Sequence, residues 1–156
     1  MAKDRTTSSR PIRLNVRSEK RVVVEPEDED RFVLTVREAA QACQQHHDDK
    51  EWETLFNRFL IFLESWGKNH SDKVASVFVN VCDGALNILI CTADGLYDTS
   101  LDDMLTDLDL ELVKEFDWLV AEVMQVPASV QSDRIPYEKA ILVYGDGKRT
   151  QTAGSA

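Results

Sequence analysis

Two runs of β-type residues, 74–81 and 86–91, flank Cys82-Asp83-Gly84-Ala85. Asp-Gly at the two central positions of a tight turn is a strong hairpin signal, because both positions need a positive φ that Gly adopts without strain. Closed as a two-residue loop, the pair sets Cys82 opposite Ala85, Val81 opposite Leu86, Val79 opposite Ile88 and Val77 opposite Ile90. Side chains alternate across a strand, so one face of this hairpin is wholly aliphatic. The other face is mixed, with Asn80 opposite Asn87 and Phe78 opposite Leu89. The aliphatic face has to be covered by apolar side chains from elsewhere in the chain.

The cover is legible just upstream. Trp52, Leu55, Phe56, Phe59, Leu60, Phe62, Leu63 and Trp66 follow helical spacing for more than four turns. At ~100° per residue, all but Leu60 lie within about 60° of the Phe59 direction. Gly67 is the predicted end of this helix. Upstream, Thr35-Val36-Arg37-Glu38 has the spacing of a capping box and predicts a short helix to about Gln45, with Ala39, Ala40, Ala42 and Cys43 inside. His46-His47-Asp48-Asp49 is the polar turn between the two. A third helix is predicted through 107–125, with a start as early as Ser100, where Ser100 and Asp103 have capping-box spacing. Its stripe is Leu112, Val113, Phe116, Leu119, Val120 and Val123, and Pro127 is its stop.

Residues 140–144 form a last short strand. Near the start, Ile12, Leu14 and Val16 alternate with Arg13, Asn15 and Arg17, and 21–25 is a second β-type run halted by Pro26. These two could pair as a hairpin, although no Gly or Asn supplies the usual turn. The expected fold is α+β: a small antiparallel sheet, made of the Asp-Gly hairpin and a C-terminal strand, packed on about three helices. The expected organisation is a basic, partly disordered arm and acidic linker over 1–30, one α+β domain over 31–147, and a disordered tail over 148–156.

Charge is distributed unevenly. The net charge is −10, yet the first 21 residues hold seven basic side chains against two acidic ones, a local +5. The remaining 135 residues carry 26 acidic against 11 basic groups, or −15. Such a body repels nucleic acid and anionic lipid, which leaves the arm as the only segment suited to either. The longest apolar runs, inside 55–63 and 86–91, fall short of the ~20 residues of a membrane helix. The N-terminal segment lacks the apolar stretch of a signal peptide. Three cysteines without paired spacing suit a reducing cytoplasm, where the chain is expected to reside.

The chemical constellations are weak. His46 and His47 are adjacent, so on a helix they point ~100° apart and do not share an ion, and no Cys-x-x-Cys occurs. Asp94, Asp98, Asp102, Asp103, Asp107 and Asp109 are dense, but a calcium loop begun at Asp94 puts Gly95 at position 2 and Leu96 at position 3, against the required register. Gly145-Asp146-Gly147-Lys148 lacks the spacing of a phosphate loop. No catalytic residue, metal ligand or cofactor is therefore nominated.

The expected function is a non-catalytic protein–protein interaction module: an adaptor, chaperone-like binder or inhibitor that contacts another protein or a second copy of itself. The nominated contact residues are Trp118, Leu110 and Ile61, with Arg10, Arg13, Arg17 and Arg21 of the arm. Trp118 lies about 200° from Phe116 on the predicted third helix, and so away from the core. The arm is also a candidate strand donor to another protein's sheet. Two alternatives stand beside this reading. One is a small Mg-dependent hydrolase or nuclease using carboxylates in the Asp94 to Asp107 stretch. The other is an acidic mimic that occupies a nucleic-acid-binding protein, with its carboxylates aligned on one surface.

Overall fold

The computed structural model describes residues 11–18, 21–43, 49–82, 84–127, 135 and 140–145. Among these the elements run β1 (Ile12–Ser18), β2 (Arg21–Val24), α1 (Glu29–Ala42), α2 (Asp49–Asn69), β3 (Val74–Cys82), β4 (Ala85–Thr92), α3 (Thr99–Glu115), β5 (Ala121–Val126) and β6 (Ile141–Tyr144). The predicted turn at His46, His47 and Asp48, the Gly147-Lys148 segment and the tail over 148–156 lie outside the described residues.

The central hairpin closes in the register its sequence dictates, with Val77↔Ile90, Val79↔Ile88, Val81↔Leu86 and Cys82↔Ala85. Gly84 has φ +76°, as the turn demands. The aliphatic face lies under α2, whose Phe56, Phe59, Leu60 and Leu63 are fully buried together with Val77, Val79, Leu86, Ile88 and Ile90. The helix does not stop at Gly67, however. It runs on to Asn69, and Gly67 is buried against the Tyr144 ring, where a Cβ would stand 2.7 Å from ring carbons. Glycine serves close approach here rather than chain reversal.

The sheet departs from the expected small antiparallel one. It is six-stranded and mixed, in the order β2-β1-β6-β3-β4-β5. β1–β2, β3–β4 and β3–β6 are antiparallel, whereas β1–β6 and β4–β5 are parallel. The parallel pairs arise because β4, α3 and β5 form a strand–helix–strand crossover, and because β1 docks beside a strand from the far end of the chain. Neither pairing is encoded by a local turn. The architecture remains α+β, with three helices among the described residues.

Two helix boundaries also differ from expectation. The acidic 27–30 segment is not a linker: Pro26–Asp28 makes a single 3-10 turn and α1 begins at Glu29. Asp28 is buried, accepts from Arg31 Nη2 at 2.6 Å and accepts from the Arg13 amide at 3.4 Å, which ties β1 to the helix start. Thr35, expected to cap the helix, sits inside it and donates its hydroxyl to the Arg31 carbonyl at 2.9 Å.

At the other end, α3 buries Leu101, Leu105, Leu108 and Leu112 and ends before Phe116, so it does not continue to Gln125. Val113, expected in its core stripe, is exposed. The break has a packing cause. On a continuous helix Phe116 and Trp118 would point ~200° apart, and only one could reach the core. With the chain turned by the Leu119 amide donating to the Phe116 carbonyl at 3.0 Å, both pack. Trp118 meets Trp52, Phe116 and Phe59 with ring centroids 5.0, 5.7 and 6.2 Å apart, all edge-on.

The mixed face of the sheet is covered too. Phe78, Leu89, Cys91, Leu142 and Val126 form a second cluster with Ile135, which the chain brings over from between β5 and β6. Among the described residues no helix is long and apolar enough to cross a membrane.

Trp118 thus belongs to the aromatic core rather than to a free helix face. Trp118→Ser is expected to cost about 2–3 kcal/mol of stability in denaturant unfolding, toward the low end for large-to-small core changes because the ring is only half-buried. An unchanged unfolding midpoint would contradict this packing role.

Candidate functional site

Among the described residues, β5 is the last strand of the sheet on its side. Between it and α3 runs an open groove of about 610 Å³, bordered by Ala121, Glu122, Val123, Met124 and Gln125. Five consecutive strand residues point to both faces of a sheet, so a groove that touches all five borders the strand's edge. From α3 the groove takes Asp102, Leu105, Thr106 and Asp109, and from the preceding loop Tyr97. Asp102, Thr106 and Asp109 fall on one helix stripe at i, i+4 and i+7, and exposed Val113 continues it.

One end of the groove is a closed hydrogen-bond network. Asp98 caps α3, its Oδ1 accepting from the Ser100 amide at 2.9 Å and the Leu101 amide at 3.3 Å. The Ser100 hydroxyl donates to the same oxygen at 2.6 Å, and Lys73 Nζ reaches Ser100 Oγ at 2.5 Å and Asp98 Oδ2 at 3.4 Å. Gln125 then bolts β5 to the helix start. Its Oε1 accepts from the Asp98 amide at 2.8 Å, while its Nε2 donates to the Asp98 carbonyl at 2.8 Å and to Asp102 Oδ1 at 2.6 Å. The Tyr97 hydroxyl donates to Asp102 Oδ2. Both oxygens of Asp102 are therefore used, and that bond to the carboxylate raises the Tyr97 pKa, keeping it a donor.

These bonds limit the chemistry available. Asp102 and Asp109 are two helical turns apart, about 10 Å along the axis, which is too far to converge on one ion. Among the described residues no group of three or more His, Cys, Asp or Glu side chains is placed to hold a metal. Burial pushes the Cys91 thiol up to about 11 and raises that of Cys43 as well, so both remain protonated near neutrality. The arrangement suits recognition of charge along an extended ligand.

The nominated contact residues are scattered by comparison. Trp118 is in the aromatic core, and Ile61 is half-buried on α2. Leu110 is exposed on α3, about 40° of helix turn from the groove stripe. Arg13 is exposed on β1, and Arg17 and Arg21 fall on β1 and β2; Arg10 lies outside the described residues. β1 pairs with β2 from Leu14 to Ser18 on one side, and on the other its Ile12 and Arg13 pair with β6.

Sequence reasoning missed Tyr97, Asp109, Glu122 and Gln125 as members of one site. The available signal was the strand-like segment 120–126, with Val120, Val123 and Val126. Comparison with protein-family models, curated proteins and solved structures finds no match to this chain.

The cap makes a pH prediction. Asp98 is held below the usual carboxylate range, first by the Ser100 hydroxyl and also by the Leu101 and Ser100 amides and Lys73. A depressed folded-state value stabilises the fold above the ordinary carboxylate range, and the effect is lost as pH falls through the lowered value. Asp98→Ala is expected to lower the thermal midpoint near neutrality, with the gap to the parent closing in strong acid. A gap that persists unchanged into acid would remove the carboxylate charge as its source.

Proposed function

We propose that this chain is a non-catalytic interaction module that holds an extended, basic segment of a partner protein along β5 and α3. The observation that carries this reading is the juxtaposition of an open strand edge with Asp102, Asp109 and Glu122 along one groove. An added strand gains main-chain hydrogen bonds from the edge, and its alternate side chains select the sequence. Lys or Arg at those positions meets carboxylates, whereas an acidic peptide is repelled. The buried Cys91 thiol suits a reducing cytoplasm as the working compartment.

A second reading is favoured by a different observation. Asp103, Asp107, Glu111 and Glu115 are exposed at four-residue intervals on α3, a row of carboxylates spaced ~6 Å apart. Such a row supports the acidic mimic, which would occupy the phosphate-binding surface of another protein. It lies on a different side of the helix from Asp102 and Asp109, so substitutions separate the two readings.

A labelled peptide of alternating Arg and Thr tests the first reading by titration into the full chain at low and high salt. Binding is expected at low salt, weakening at least about tenfold at high salt, and with the peptide's Arg face toward α3 it is expected to be lost in Asp109→Lys with the thermal midpoint kept. Equal binding of a Glu-Thr peptide, or full binding by Asp109→Lys, would overturn the proposal.

A further inference from the structure

Among the described residues the opposite edge of the sheet is formed by β2, and it is built differently. Where β5 carries Glu122, β2 presents Val22, Val23 and Val24 in succession. All three border a second groove, of about 490 Å³, which continues over Phe32, Val33 and Val36 of α1. Val33 and Leu34 are large apolar side chains left 42% and 57% exposed on that helix. Sheet edges are normally protected by a charge, a proline or a bulge within the strand. Three of the four residues of β2, Val22 to Val24, offer no such protection; Arg21 opens the strand and Glu25 follows it.

That placement is self-complementary. When two copies of β2 pair antiparallel about Val23, Val22 of each stands opposite Val24 of the other, and Arg21 of each stands opposite Glu25. Parallel pairing would instead set like charges beside each other. A two-fold interface requires one patch to complement itself, and this five-residue segment does so in both apolar and charged positions. We infer that two copies of this chain associate through β2, edge to edge about a two-fold axis at Val23, joining two six-stranded sheets into one. The interface is remote in the strand order from the β5 groove and leaves it open, so neither proposal depends on the other.

Sedimentation velocity on the full chain over a dilution series tests this. A dimer is expected that dissociates on dilution. Arg21→Glu and Glu25→Arg each replace two attractive pairs by two repulsive ones, so each variant alone is expected to dimerise at least about tenfold more weakly. Mixed in equal amounts, the two variants set a strand with acidic groups at both ends against a strand with basic groups at both ends. Two attractive pairs are then restored, and association is expected to return to near the parental strength. A chain that stays monomeric at every concentration would overturn the inference. So would a mixture that associates no better than either variant, since a merely misfolded variant is not rescued by its partner.

Discussion

The aliphatic face of the β3–β4 hairpin and the aromatic stripe of α2 bury one another, and the rest of the fold is arranged around that contact. Removing apolar side chains from water is the dominant favourable contribution to folding, and here it is concentrated where Phe56, Phe59 and Leu63 meet Val77, Val79, Ile88 and Ile90. Phe116 and Trp118 close the same cluster from the far side, edge-on to Phe59. That demand is strong enough to end α3 at Glu115, because a longer helix would have left one of the two rings in water. The early stop frees residues 121–126 to become β5, so the groove follows from the way the core is packed.

With the helices on one face and Ile135 over the other, the middle of the sheet is closed to solvent. What remains for recognition is its perimeter. The two outer strands differ in the chemistry they offer: β5 carries a charge and faces carboxylates of α3, whereas β2 is a run of valines with opposite charges at its ends. The first is proposed to hold a basic extended ligand and the second a copy of itself. Gln125 connects core and perimeter, since its three hydrogen bonds fix β5 against the start of α3 and hold Asp102 at the groove.

The parts of this fold that rest on local rules were legible in the sequence. Asp83-Gly84 and the period-two runs beside it dictate the hairpin register residue by residue, and helical spacing identifies α2. The misread parts depend on residues far apart in the chain. Thr35 has capping-box spacing, yet the helix starts earlier, where Pro26 leads into a turn and Asp28 finds Arg31 and the β1 backbone. Gly67 has the look of a helix stop, but its lack of a side chain serves Tyr144, 77 positions away. Trp118 falls on a polar face only if the helix is extrapolated through it. Both parallel pairings join segments with no connecting turn, which leaves the sheet looking smaller and wholly antiparallel from sequence. The groove was illegible for the same reason: Tyr97, Asp109, Glu122 and Gln125 share a site only once β5 exists.

Amide hydrogen exchange on the full chain, with and without the alternating Arg-Thr peptide, is the most direct measurement of a closed centre with a receptive edge. In the free protein the amides of β3 and β4 are expected to exchange slowest, and those of β5 that face outward to exchange quickly. Peptide pairing along β5 is expected to slow these outward amides at least about tenfold while leaving β3 and β4 unchanged. Unaltered exchange in β5 with the peptide bound, or protection confined to the outer side of α3, would contradict strand addition at this edge.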